Sequence, residues 1–355
     1  MQLGVTTAQL IFSLAAILLA TRIFGWLAHR IGQPQVVGEM IAGIVLGPSL
    51  FARFFPGYFA DVFPTTVLPA LTVLSQLGLL LFMFAVGLEV DLGRILKQKS
   101  SVVLISNVSI ILPLLLGVAL AKMLYPQFAG EKMSFISFAL FMGTAMSVTA
   151  FPVLARILKE LNMLGTELGT MSISCAAIDD ISAWLLLAIL TAIVKSSQSW
   201  HQFALIALYL AIFIFVMLVP VSRLAAFWEF RYQKIEAGMG TISLLILFML
   251  ASSWTTEKLG VHALFGAFMA GLVIPKNGDF TTKVVDRIES VSLAVLLPLF
   301  FALTGLRTRI DLLTDKTVWG YALVIVATAV VGKLAGAAFT ARAMGMGWKN
   351  SFGLG

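Results

Sequence analysis

The chain has 355 residues, of which 60% are hydrophobic and 12% are charged, and its mean hydropathy is +1.00. This composition excludes a water-soluble globular domain, in which about 25% of residues are charged, and indicates an integral membrane protein. The net charge of +7 comes from lysines and arginines in short segments between apolar runs. That pattern sets membrane topology, and no nucleic acid partner is predicted.

One cysteine and three histidines offer neither a disulfide framework nor a metal cluster. No phosphate-binding loop or nucleophile motif is present, so the sequence predicts no enzyme and no cofactor. Crossing about 30 Å of hydrocarbon takes about 20 residues of helix. The apolar runs predict an all-α polytopic membrane protein with eleven spans, numbered here in chain order: 7-28, 34-50, 66-89, 101-123, 134-157, 168-194, 202-223, 239-256, 261-275, 287-306 and 317-344.

Lysine and arginine are more frequent in the loops after odd-numbered spans than in the other loops. By the positive-inside rule these loops lie in the cytoplasm, so the N-terminus is predicted to lie outside.

An internal repeat relates two pairs of spans. "LFMFAVGLEVDL" from Leu81 returns as "LFFALTGLRTRIDL" from Leu299, and "VVGEMIAGIVLGP" from Val36 returns as "LFGAFMAGLVIPK" from Leu264. Span 2 thus matches span 9 and span 3 matches span 10. An odd number of spans separates each pair, so the two copies cross the membrane in opposite directions. Such inverted repeats are typical of secondary transporters with a substrate site near the midplane.

The repeat also predicts further spans beyond Gly355. The offset of 218 residues from Gly87 to Gly305 pairs span 4 with span 11 and sets Ser351 opposite Met133, just before span 5. We therefore expect at least two further spans in the natural protein, with 11 of about 13 present here.

Three ionisable side chains, Asp179, Asp180 and Lys333, lie deep within spans. Each costs about 2.5 to 3.5 kcal/mol at a helix centre unless it is paired or hydrated. A structural ion pair accounts for one aspartate and the lysine but leaves the second aspartate unexplained. Consecutive helical residues point about 100° apart, so one aspartate can hold Lys333 while the other faces a water-filled cavity. A carboxylate there can hold a proton or a hard cation but not both, which is the minimal chemistry of proton-coupled cation exchange.

Span 5 contains Pro152, which removes a backbone donor and predicts a break in the helix near Thr149–Pro152. Non-helical backbone at this depth is tolerated where it is buried or lines a cavity. Thr149 and Ser147 lie at the break and offer the oxygen ligands that hard cations prefer. We therefore include both in the predicted ion site.

Five motifs resemble the cation:proton antiporter-2 family, which includes bacterial sodium/proton antiporters and Kef-type potassium/proton exchangers. The resemblance runs over nearly the whole chain. The motifs are "GQPQVVGEMIAGIVLGPSLF" from Gly32, "LGLLLFMFAVGLEVDL" from Leu77, "GTAMSVTAFPVLARIL" from Gly143, "AAIDDISAW" from Ala176 and "VVGKLAGA" from Val330.

The resemblance implies the inverted-repeat Na⁺/H⁺ antiporter fold with discontinuous helices, in a bacterial inner (plasma) membrane. A core domain would move against a scaffold that forms a homodimer. The implied divisions are scaffold spans 1 to 3 (1-92), core spans 4 to 6 (101-196), linker span 7 (202-223), scaffold spans 8 to 10 (239-306), and core span 11 with the start of a second broken helix (317-355).

The resemblance also implies roles for single residues. Asp180 would bind the monovalent cation or the proton, Asp179 would form a coupling ion pair with Lys333, and Thr149 would lie at the crossover of the first broken helix. Family members with two adjacent aspartates are usually electrogenic. The choice between Na⁺ and K⁺ stays open.

Three other functions stay open at this stage. The same acids could line a cation channel, the chain could be a Kef-like gated K⁺/H⁺ exchanger, or it could be a membrane sensor that binds ions without transporting them. Midplane acids beside a broken helix in an inverted repeat favour alternating access over a channel.

Overall fold

A computed structural model describes residues 7–90, 99–130, 133–195, 200–231, 238–276, 278–313 and 315–355, and within these residues the regular structure is entirely helical. The helices are α1 (Thr7–Arg30), α2 (Gln35–Leu46), α3 (Phe51–Phe54), α4 (Pro56–Val62), α5 (Leu68–Glu89), α6 (Lys99–Phe128), α7 (Phe135–Ser147), α8 (Phe151–Glu160), α9 (Glu167–Lys195), α10 (Trp200–Val216), α11 (Ser222–Arg231), α12 (Met239–Lys258), α13 (Ala263–Val273), α14 (Gly278–Val291), α15 (Leu297–Leu306), α16 (Lys316–Ala343) and α17 (Trp348–Leu354). Single π-helical turns, Met217–Val221 and Ser292–Leu296, join α10 to α11 and α14 to α15.

Nine helical segments in the described residues are long and apolar enough to cross a membrane, and α13 is a shorter apolar helix. The 29-residue helix α9 coincides with predicted span 6. Each predicted span coincides with one helix or with two consecutive helices, which confirms the all-α polytopic class. The exact number of eleven spans stays a prediction.

The helix pairs with extensive contact fall into two groups. Group A contains α1, α2, α5 and α12 to α15, and group B contains α6, α7, α9, α16 and α17. Helix α8 connects the groups because it contacts α9 on one side and α2 and α5 on the other. Apart from α8, which lies within the predicted core, groups A and B follow the predicted scaffold and core in sequence. The division into two domains and their relative motion stay predictions.

Helices α2 and α15 cross at two glycines. A Cβ atom on Gly43 would overlap the carbonyl oxygen of Ala302, and one on Gly305 would overlap that of Met40. The two backbones therefore touch at this crossing, which only glycine permits.

Helices α5 and α13 cross in the same way. A Cβ on Gly271 would overlap the carbonyl oxygen of Phe84, and one on Gly87 would overlap that of Phe268. These four residues are the repeat equivalents of the four at the α2–α15 crossing. Each repeat thus gives one helix to each crossing, as a two-fold relation between the halves requires.

A third pair of contacts extends the repeat beyond the matched sequences. Gly38 of α2 packs on the carbonyl of Phe24 in α1, and Gly266 of α13 packs on the carbonyl of Ser252 in α12. The spacing from Phe24 to Ser252 equals that from Gly38 to Gly266. Helices α1 and α12 are therefore equivalent as well.

Candidate ion-binding site

Predicted span 5 is interrupted between α7 and α8. Helix α7 ends at Ser147, Val148 is extended with φ −65° and ψ 136°, and α8 begins at Phe151. Pro152 lies in the first turn of α8, where a missing backbone N–H leaves no helical hydrogen bond unmade. The break therefore separates two regular helices and leaves the carbonyl of Ser147 available to a partner outside the helix.

Lys333 of α16 supplies that partner. Its Nζ donates to the carbonyl oxygen of Ser147 at 2.6 Å and lies 3.4 Å from Oδ2 of Asp179. The ammonium group therefore bridges the C-terminal end of α7 and a carboxylate of α9. Both groups attract a cation, because the carboxylate is negatively charged and the C-terminal end of a helix carries partial negative charge.

Asp179 is 4% exposed and accepts hydrogen bonds from two other helices, α6 and α16, and from the break. The Ser106 hydroxyl of α6 donates to Oδ1 at 2.5 Å. Oδ2 accepts from the Thr149 hydroxyl at 2.9 Å and from the Ser109 hydroxyl at 3.3 Å, in addition to Lys333. Such a set of donors satisfies a buried carboxylate in its ionised form.

Asp180 follows Asp179 on α9 and is partly buried. The helical turn of about 100° per residue directs its side chain away from the group that holds Asp179. The Ser147 hydroxyl donates to the carbonyl of Thr144 in its own helix, at 2.9 Å. Of the five predicted residues, the structure thus joins Asp179, Thr149 and Lys333 directly, joins Ser147 to Lys333 through its carbonyl, and places Asp180 beside them.

Sequence reasoning missed Ser106 and Ser109. They lie three residues apart on α6, a spacing that puts both on one face of a helix. This polar pair in an apolar span is the available signal, but a serine in a membrane helix commonly bonds its own backbone. Only the packing of α6 against α9 shows that both hydroxyls reach Asp179.

A second charged cluster lies on α8. Buried Arg156 lies 3.7 Å from Glu39 of α2 and 2.8 Å from Glu160 of its own helix, and the backbone N–H of Gln35 donates to Glu160 at 2.7 Å. This cluster attaches α8, which begins at the break, to α2 of group A.

Lys159, three residues after Arg156, reaches two further helices of group A. Its Nζ lies 2.5 Å from Glu89, the last residue of α5, and 2.6 Å from Glu289 of α14. Near the other end of α8, the Phe151 ring packs edge-on against Phe268 of α13 at 5.0 Å between centroids. Helix α8 is thus held to four helices of group A by charges and by an aromatic contact.

The sequence model of the family described as "Sodium/hydrogen exchanger, transmembrane" matches residues 15–355. The chain belongs to this family. Members of the sodium/hydrogen exchanger family are transporters that span the membrane, so the chain is an integral multi-pass membrane protein and not an enzyme. The predicted resemblance to cation/proton antiporters is confirmed at this level.

Relatives within the family include exchangers of both ions. The Na⁺/H⁺ antiporter NhaS4 of Synechocystis sp. is 40% identical over 346 residues, which are 96% of this chain and 83% of NhaS4. The K⁺/H⁺ antiporter 1 of Saccharomyces cerevisiae is 33% identical over 328 residues, which are 90% of this chain and 37% of the yeast protein. Cation/H⁺ antiporter 19 of Arabidopsis thaliana is 35% identical over 328 residues, which are 92% of this chain and 41% of the plant protein. The chain therefore spans less than half the length of these yeast and plant relatives.

The fold is similar to that of the sodium proton antiporter MjNhaP1 from Methanocaldococcus jannaschii, with a TM-score of 0.68. The likeness covers 98% of this chain and 81% of that chain at 13% identity. It confirms the predicted antiporter fold and, at this identity, carries no residue-level inference.

Proposed function

We propose that the chain exchanges Na⁺ or K⁺ for protons at Asp180 by alternating access. The observation that carries the proposal is the set of four donors around Asp179. A carboxylate engaged by three hydroxyls and an ammonium group has little capacity left for a cation. The exchanging role therefore goes to the adjacent acid, Asp180, which is partly exposed.

The chemistry of exchange follows from competition at one group. Na⁺ and K⁺ are hard cations that prefer oxygen ligands, and a carboxylate that binds one must first release its proton. When Asp180 is protonated, the change of access carries a proton to the other side of the membrane. When Asp180 holds a cation, the reverse change carries the cation. Thr149 at the break and the coupling ion pair of Lys333 with Asp179 complete the site.

The two packing groups support an elevator-like motion. In this proposal group B, with the ion site, moves against group A, and α10 with α11 serves as the linker. Group A would provide the surface for a homodimer. The Synechocystis relative favours a bacterial inner (plasma) membrane, and the positions of the basic residues favour an N-terminus on the outside. Since the relatives include Na⁺ and K⁺ exchangers, both cations stay candidates.

The first prediction concerns Asp180→Asn. An amide cannot alternate between a proton and a cation, so cation-driven dequenching of a pH dye in everted vesicles should fall to the level of empty vesicles. The matched control is Asp61→Asn, because Asp61 is an exposed aspartate of α4. That variant should exchange at the normal rate.

Exchange that persists in Asp180→Asn would show that Asp180 is not the exchanging group. The same vesicles also separate an antiporter from a channel. Flux through an antiporter saturates with cation concentration and reverses when the imposed pH gradient is reversed. Cation currents without obligatory proton movement would favour a channel.

A further inference from the structure

Helix α6 places two hydroxyls on Asp179. Ser106 is 0% exposed and Ser109 is 4% exposed. Ser106 donates to Oδ1 of the carboxylate, and Ser109 lies closer to Oδ2 than to Oδ1. Since α6 packs against both α9 and α16 within group B, these hydroxyls stay beside Asp179 in any motion of group B as a body.

Ser109 has two acceptor groups within reach. Its hydroxyl lies 2.8 Å from the carbonyl oxygen of Ser106, and 3.3 Å from Oδ2 and 3.5 Å from Oδ1 of the Asp179 carboxylate. A hydroxyl has one proton, so it donates fully to one acceptor at a time. Rotation about a single side-chain bond moves that proton between the two acceptors.

Lys333 shares Oδ2 with Ser109. Its Nζ is closer to the Ser147 carbonyl, at 2.6 Å, than to Oδ2, at 3.4 Å. If Lys333 leaves Asp179 during exchange, the buried carboxylate loses its cation, and an uncompensated buried charge is strongly unfavourable. A donor already within 3.3 Å offsets that loss without any movement of the backbone.

We propose that Ser109 is a positioning residue that replaces Lys333 on Asp179 when the Lys333–Asp179 pair opens. In the paired state the Ser109 hydroxyl donates mainly to the nearer Ser106 carbonyl and only weakly to Oδ2, and in the open state it donates fully to Oδ2. The Ser106 hydroxyl holds Oδ1 in both states. This inference rests on the proposed function and adds to it that the Lys333–Asp179 pair opens when Asp180 binds the cation.

The test measures cation binding rather than transport alone. Ser109→Ala destabilises the cation-bound state but not the paired state, so the cation concentration that gives half-maximal thermal stabilisation of the purified protein should rise about tenfold or more. The same shift should appear in the apparent KM of reconstituted exchange, with a smaller change in the maximal rate. Ser172→Ala is the matched control, because buried Ser172 of α9 donates only to the Leu168 carbonyl of its own helix in the contacts described.

The Lys333→Gln background separates a positioning role from packing. Without the ammonium group of Lys333, the Ser109 hydroxyl donates to Asp179 to the same extent in both states. Adding Ser109→Ala should therefore shift the cation-binding midpoint by less than about twofold. An equal shift in both backgrounds, or equal midpoints for Ser109→Ala and Ser172→Ala, would overturn the proposal.

Threonine and valine have nearly the same shape, so a pair of variants with these residues keeps the test decisive if Ser109→Ala does not fold. Ser109→Thr retains the hydroxyl and should bind the cation as the unchanged protein does, whereas Ser109→Val should show the shift. Equal binding by the Thr and Val variants would also overturn the proposal. The role of Ser109 and the proposed function can fail separately, because Asp180→Asn tests exchange at Asp180 independently of any change at Ser109.

Discussion

At the scale of single residues, the two adjacent aspartates differ because their surroundings differ. Asp179 faces α6, the break and α16, and these supply its four donors. The side chain of Asp180 points in a different direction, since one residue along a helix turns the side chain by about 100°. Adjacent positions in the sequence thus become two chemically different sites.

Lys333→Gln tests the charge carried by the pair. If Lys333 pairs with Asp179 in one state and leaves it in the other, removing its charge should reduce the charge moved per exchanged cation. The measurement compares transient currents on a supported membrane with dye dequenching in the same preparation. Lys349→Gln is the control, because Lys349 is exposed on α17. Unchanged charge per exchanged cation in Lys333→Gln would exclude the lysine from charge movement.

At the scale of helices, α8 is the element that connects the ion site with group A. Its first residue follows the break, and its second half carries the ion pairs to α2, α5 and α14. Arg156 is 7% exposed and Glu39 is 4% exposed, so this pair lies almost entirely out of solvent. A motion of group B against group A has to rearrange these contacts.

Arg156→Leu should lower the stability of the protein by about 3 to 5 kcal/mol, because it leaves Glu39 buried without a compensating charge. Unfolding of the purified protein in detergent measures the loss. The exposed Arg223→Leu on α11 should change stability by less than about 0.5 kcal/mol. Adding Glu39→Leu to Arg156→Leu should restore part of the loss, and a further decrease instead would contradict the explanation.

Hydropathy and proline predicted the membrane helices and the break but not every helix boundary. Predicted span 10 begins at residue 287, whereas α14 begins at Gly278. The first part of α14 is amphipathic and charged, so its apolar content is too low for a hydropathy criterion. The same limit applies to the site, because hydroxyl donors such as Ser106 and Ser109 leave no hydropathy signal and only tertiary packing shows what they contact.

At the scale of the whole molecule, the two halves are related by backbone contacts more than by side chains. Sequence similarity matched α2 with α13 and α5 with α15. It missed α1 with α12, where Phe24 and Ser252 are equivalent. A glycine packed on a carbonyl needs no particular side chain at the partner position, so this contact persists where sequence similarity is lost.

The two-fold relation predicts equal effects at equivalent glycines. A Cβ on Gly43 or on Gly271 would overlap a backbone carbonyl, which cannot move aside as a side chain can, so either Gly→Ala variant should lose about 3 kcal/mol or more of stability. Gly320→Ala on α16 is the control, because nothing lies within 4 Å of a Cβ there. Alanine has a higher helix propensity than glycine, so the stability of this variant should be unchanged or should rise by up to about 1 kcal/mol. Thermal unfolding in detergent ranks the three variants, and a tolerated Gly43→Ala beside a disruptive Gly271→Ala would show that the two crossings are not equivalent.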